Sequence, residues 1–205
     1  MIPVQANRIG LAQRTRYGAT AVLSIVVAVA IALLYVADNS ATAATDTNVP
    51  NADRANPGGW TNDSGSSCGA DSLSTTCSSR IDEDIDAPDD SDYIRSPVDP
   101  VNSVVEFELT GAPVDLGQLE SIQVRFRGYE TPTTSPKFAA VKVEVILPGF
   151  GALGPASFQV LTSSATTYSY TISDLPNTLT GFALNKDYVD ILIVRITASV
   201  LGTGD

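Results

Sequence analysis

The sequence predicts an all-β protein: an antiparallel, jelly-roll-like β-sandwich of about eight or nine strands, preceded by one N-terminal hydrophobic helix and a disordered tether. Three observations carry that expectation. Beyond Pro97, apolar and polar residues alternate with a period of two in run after run. Gly, Pro and Asn punctuate the gaps between the runs, and no amphipathic helical pattern follows residue 60.

The N-terminal element rests on charge and length. Residues 1–17 form a basic segment containing Arg8, Arg14 and Arg16, placed on the cytoplasmic side. Residues 18–37 read GATAVLSIVVAVAIALLYVA and carry no charge. As a helix rising about 1.5 Å per residue, this run spans roughly 30 Å, the thickness of a bilayer's hydrocarbon core. It therefore reads as a transmembrane helix or the apolar region of a signal peptide. Asp38 and Asp46 follow, so everything past Ala37 is expected across the membrane, at the cell surface or secreted. Ala41-Thr42-Ala43 before Ala44 is a small-x-small cleavage pattern, whereas the run is longer than an ordinary signal core. A retained anchor and a leader cut after Ala43 both stay open.

Residues 38–58 are rich in Ala, Thr, Asn, Asp and Pro, with little to bury, and are expected to form a flexible linker. The folded body is then residues 59–205. Cys68 and Cys77 are the only cysteines and lie in a Ser/Thr/Gly-rich segment. In an exported protein they are expected to form a disulfide, pinning a hairpin-like insertion.

Strands follow in order. In SVVEFELT, Val105, Phe107 and Leu109 alternate with Val104, Glu106 and Glu108. In LESIQVRFRGY, Ile122, Val124 and Phe126 alternate with Gln123, Arg125 and Arg127. In KFAAVKVEVIL, Val141, Val143 and Val145 oppose Lys142 and Glu144; in TTYSYTIS, Tyr168, Tyr170 and Ile172 oppose Ser169 and Thr171. YVDILIVRITASV is apolar on both faces near its middle, as a central strand, or one covered by another element, would be. Shorter strands are expected near Trp60, Ile81, Tyr93 and Phe158.

Charge and composition bound the function. With 23 acidic against 12 basic residues the net charge is -11, which excludes a nucleic-acid partner. Histidine is absent, removing the usual general base and the Ser-His and Cys-His nucleophile pairs. No enzymatic activity is expected. The stretch RIDEDIDAPDDSDYIRSP gathers seven carboxylates, Asp82, Glu83, Asp84, Asp86, Asp89, Asp90 and Asp92. It lacks the glycine and downstream Glu of an EF-hand loop, so no cofactor is expected. A structural calcium on Asp82, Asp84, Asp86, Asp89, Asp90 and Asp92 is the metal alternative. The other reading is that Ile81, Ile85, Tyr93 and Ile94 are core contacts and the acids cover an exposed edge.

Trp60 is either a core plug or, with Tyr129, Phe150 and Phe182 on loops, part of a sugar-stacking face. The expected function is adhesion or structural assembly on the envelope, through self-association or with envelope proteins. A carbohydrate-binding module and a pilin-like filament subunit are the alternatives.

Two resemblances bear on this. Gly59-Trp60-Thr61, Ile81-Asp82-Glu83, Asp89-Asp90-Ser91-Asp92-Tyr93-Ile94, Val124-Arg125-Phe126-Arg127 and Tyr188-Val189-Asp190-Ile191 follow one another along residues 58–201. That order resembles a jelly-roll domain of uncharacterised bacterial secreted and surface proteins and phage virion-associated proteins. The resemblance implies a fold and a display role, and it supplies no catalytic residues. The cysteine-bearing insertion between Trp60 and Ile81 departs from that pattern. RYGATAVLSIVVAVAIALL resembles the N-terminal segment of tight-adherence pilus-assembly proteins, except that Leu23 stands where a Glu commonly follows Ala-Val.

Overall fold

A computed structural model describes residues 28–36, 44–69, 73–82, 91–112, 118–131, 138–173, 175 and 185–201. They form antiparallel sheets. The larger has six strands: β3 (Pro50–Ala55), β6 (Ser103–Leu109), β12 (Ile193–Leu201), β8 (Phe138–Leu147) and β10 (Ser157–Val160) in spatial order, with β9 (Gly151–Ala152) also on β8. The second has four, in the order β11 (Thr166–Ile172), β7 (Gln118–Gly128), β1 (Ala28–Val36) and β2 (Ala44–Asn48). A short ribbon pairs β4 (Thr61–Asn62) with β5 (Ile94–Arg95).

The period-two runs become strands because one face of each reaches a shared core. In β6, Ser103, Val105, Phe107 and Leu109 are buried while Val104, Glu106 and Glu108 are half-buried. Ile122, Val124 and Phe126 of β7 enter the same apolar cluster, with Val141, Val143 and Val145 of β8 and Val194 and Ile196 of β12. Tyr168 and Tyr170 of β11 join the layers: their hydroxyls donate to the carbonyls of Val160 (3.3 Å) and Val143 (3.1 Å). The doubly apolar final run is a central strand, with β8 on one side and β6 on the other. It begins later than the sequence suggests, because Asn185 caps a single helical turn, α1 (Lys186–Val189), accepting from the N–H groups of Asp187 and Tyr188. Near Ile81 the chain makes a 3-10 turn (Ser78–Arg80), not a strand.

Two expectations need correction. The N-terminal helix is not supported: Gly18 to Val27 and Ala37 lie outside the described residues, and Ala28–Val36 is strand β1. Among the described residues no helix is long and apolar enough to cross a membrane. The physical reason is an ambiguity of long apolar runs, since such a run also suits a central strand. Within it, Ala28, Ala30 and Ala32 alternate with Val29, Ile31 and Leu33, and the latter are register partners of Phe126, Val124 and Ile122. The flexible linker of residues 38–58 is also corrected where it is described. Ala44–Asn48 forms β2 and Pro50–Ala55 forms β3, on different sheets, with Val49 alone between them. Composition missed this because β3 is held by polar contacts more than by apolar burial.

Candidate functional site

Asp53, in β3, is completely buried. Its carboxylate accepts from the backbone N–H of Gly69 (2.7 Å), Cys77 (3.2 Å) and Ser78 (2.7 Å), and from the Ser74 hydroxyl (3.0 Å). Its own N–H donates to the Ser74 carbonyl at 2.7 Å. A buried carboxylate is tolerable when N–H and O–H donors replace its hydration, and here they do. The hub shapes the loop closed by the Cys68–Cys77 disulfide, whose Cα atoms are 5.1 Å apart. Sequence reasoning found the disulfide and missed Asp53, which sits in a stretch read as tether. Its one signal is an acidic residue following the Pro50-Asn51-Ala52 run, too weak to single out.

Trp60 is fully enclosed. Its Nε1 donates to the Ser103 carbonyl at 3.2 Å, and its backbone N–H donates to the Asn56 side-chain oxygen at 2.7 Å. With no ring face open, it cannot stack on a sugar, and that part of the glycan expectation is corrected. Phe150 is not beside it. Phe150 is 58% exposed in the turn after β8 and meets Tyr188 edge-on at 6.4 Å. That places it at the end of the six-stranded sheet where Ile193 pairs Ile146, whereas Trp60 lies by Ser103 at the opposite end. Tyr129 is half-buried, and burial, reinforced by Tyr93 and partly offset by Arg95, pushes its hydroxyl up to about 12. Phe182 lies outside the described residues.

Of the calcium candidates, Asp84, Asp86, Asp89 and Asp90 lie outside the described residues. Asp92 is paired with Arg80 at 2.8 Å, and Arg80 also reaches Asp63 at 3.3 Å. Asp82 is exposed, with its pKa raised by partial desolvation and by the charge of Asp92, against one opposing backbone hydrogen bond. Among the described residues no group of three or more His, Cys, Asp or Glu side chains is placed to hold a metal. Of the four residues expected as core contacts here, Ile81 and Ile94 are buried, Tyr93 is half-buried and Ile85 lies outside the described residues.

One concavity among the described residues was not singled out from sequence. It is a groove of about 680 Å³ on the outer face of the six-stranded sheet, floored by the polar halves of β6, β12 and β8. Glu106, Arg195 and Glu144 stand side by side on three adjacent strands. Arg195 donates from Nε to Glu106 at 2.7 Å, and Lys142 holds Glu144 at 2.9 Å. Next along are Thr197 and Lys142, then Ser199, whose hydroxyl donates to Asn102 at 3.0 Å. Phe158, on strand β10, stands at the rim 52% exposed. A second hollow of about 430 Å³ shares Asn102, Phe158 and Ser199 and adds Val101, itself 87% exposed. The alternations Glu106/Glu108 and Lys142/Glu144 were visible as wet faces, whereas Arg195 and Thr197 fall in a run read as apolar on both faces; that Glu106, Lys142, Glu144, Arg195 and Thr197 share one groove depends on strand order.

Comparison with protein-family models, with curated proteins and with solved structures finds no match to the chain.

Proposed function

We propose that this chain is an exported, non-enzymatic adhesion module of the jelly-roll sandwich type, binding through the groove on its six-stranded sheet. One observation carries the reading. In a chain of net charge -11, the groove pairs Glu106 with Arg195 and Glu144 with Lys142, so its floor is charge-balanced, and Phe158 stands open at its rim. Such a lining suits a neutral, hydroxyl-rich chain such as a surface glycan. Thr197, Ser199 and Asn102 offer hydrogen bonds, and Phe158 offers a flat apolar face. The carbohydrate-binding alternative is thereby kept and moved away from Trp60. Both glutamates are held in ion pairs, which favours binding over acid-base chemistry.

Export is supported by the disulfide, a bond that persists in oxidising compartments, and by the basic-then-apolar N-terminus. In one copy at one time, Ala28–Val36 cannot both cross a bilayer and lie between β7 and β2. The arrangement that fits both is sequential: the run directs crossing, then takes its place in the sheet.

Retention on polysaccharide affinity gels tests the proposal. Phe158→Ala should weaken retention about tenfold, the equivalent of one lost stacking contact, while Trp60→Phe should leave it unchanged. A wild-type protein that passes unretained over a broad glycan panel, or a folded Phe158→Ala variant retained like wild type, would overturn it.

A further inference from the structure

Strand β1 is the first described element of the chain and occupies the middle of its sheet. β7 opposes it from Ala28↔Arg127 to Val36↔Gln118, and β2 opposes it from Ile31↔Asn48 to Tyr35↔Ala44. Taking it away would leave backbone N–H and C=O groups unpaired on both walls. A slot of that kind needs an occupant.

Three features bear on whose strand that is. Because no described element precedes it, β1 can leave and re-enter the slot without threading the rest of the described chain. Its link to β2, residues 37–43, contains Ala41-Thr42-Ala43, so a cut after Ala43 would separate β1 from the domain immediately before the first residue of β2. The uncharged run of residues 18–37 also has a competing home in a bilayer. Each route empties the slot in one copy while other copies still carry a segment that fits it.

We propose that the slot between β7 and β2 is a strand-acceptor site that takes the Ala28–Val36 segment of a second copy of this chain. The walls are in register with this particular alternation of small and large residues, which every copy supplies. Copies of net charge -11 repel one another across most of their surface, and residues 18–37, which carry no charge, add nothing to that repulsion as they approach. Reciprocal exchange closes a two-fold dimer; one-way exchange continues into a chain of subunits. The inference stands apart from the glycan reading, and either can fail alone.

The test uses full-length protein and the register pair Ala32↔Gln123. Chains carrying Ala32→Cys and chains carrying Gln123→Cys are co-expressed and treated with a short bifunctional thiol reagent. A crosslinked heterodimer is expected at about ten times the yield of either variant alone, and well above the mismatched pair Ala32→Cys with Arg127→Cys. A chain carrying both Ala32→Cys and Gln123→Cys reports the same contact within one copy. Crosslinking confined to that double variant would overturn the proposal, because β1 then stays in its own domain. Equal crosslinking of matched and mismatched pairs, or none in any arrangement, would overturn it too. Survival of the Cys68–Cys77 bond in each variant verifies folding.

Discussion

The carboxylate of Asp53 accepts a 2.7 Å hydrogen bond from the backbone N–H of Ser78 and so fastens an edge strand to the far end of the disulfide loop. Removing the carboxylate leaves the N–H groups of Gly69, Cys77 and Ser78 facing a void. Asp53→Ala should cost about 3 kcal/mol, the penalty for stranded buried donors, read as a lower urea midpoint at unchanged slope. A loss below about 0.5 kcal/mol, the scale of a neutral surface change, would mean the loop is held by other contacts.

Reduction of Cys68–Cys77 should cost roughly 2–3 kcal/mol by restoring freedom to the unfolded chain. The bond and Asp53 order the same loop, so their effects should not add. Urea melts of wild type and Asp53→Ala, each with and without reductant, give the coupling. Strict additivity would show two independent devices.

Gly69 is fixed by crowding. A Cβ there would come within 2.1 Å of the Ser74 Cβ and 2.0 Å of its hydroxyl oxygen. Gly69→Ala should destabilise by about 1–3 kcal/mol and slow disulfide formation during oxidative refolding, followed by thiol labelling. Unchanged stability would mean that residues 73–77 shift freely to make room.

Trp60→Ala should cost about 3–5 kcal/mol, because it empties a fully enclosed site and leaves the Ser103 carbonyl without its indole donor. Calorimetry measures it. Trp60→Phe should recover most of the packing and none of that hydrogen bond.

At Asp190 the Lys186 side chain donates to the carboxylate, and with the Ala112 N–H it holds the pKa below 3.8 against a smaller opposing desolvation. A depressed carboxylate stabilises the fold above its unfolded pKa, and that stability is lost as pH falls through the folded value. Wild type should therefore melt above Asp190→Asn near neutrality, and the two curves should converge as acid protonates the carboxylate. The difference should be small, since the pair is exposed. Parallel curves down to the lowest pH would show the pair contributes nothing.

Much of the sheet architecture was legible because one-sided burial imprints a period of two. Val105/Phe107/Leu109 and Ile122/Val124/Phe126 could be placed on inner faces from the sequence alone, and the doubly apolar β12 as a central strand. The disulfide followed from there being only two cysteines in a polar segment. Three things were not legible. β1 hid inside a run that satisfies the length rule for a bilayer helix, since hydropathy registers burial without saying what does the burying. β2 and β3 hid because Asn48 and Asp53 are buried polar residues satisfied by partners far along the chain, which local composition cannot report. The groove depends on β6, β12 and β8 lying side by side, so Glu106, Arg195 and Glu144 meet only after folding.

The central place of β1 also bears on load. Antiparallel hydrogen bonds lie across the strands, so tension applied along β1 from its N-terminal end pulls on rows shared with β7 and β2 in parallel. Such rows yield together, whereas a peeled edge gives way bond by bond. A particle or cell hung from that end of the molecule would meet a shear clamp before anything else unravelled.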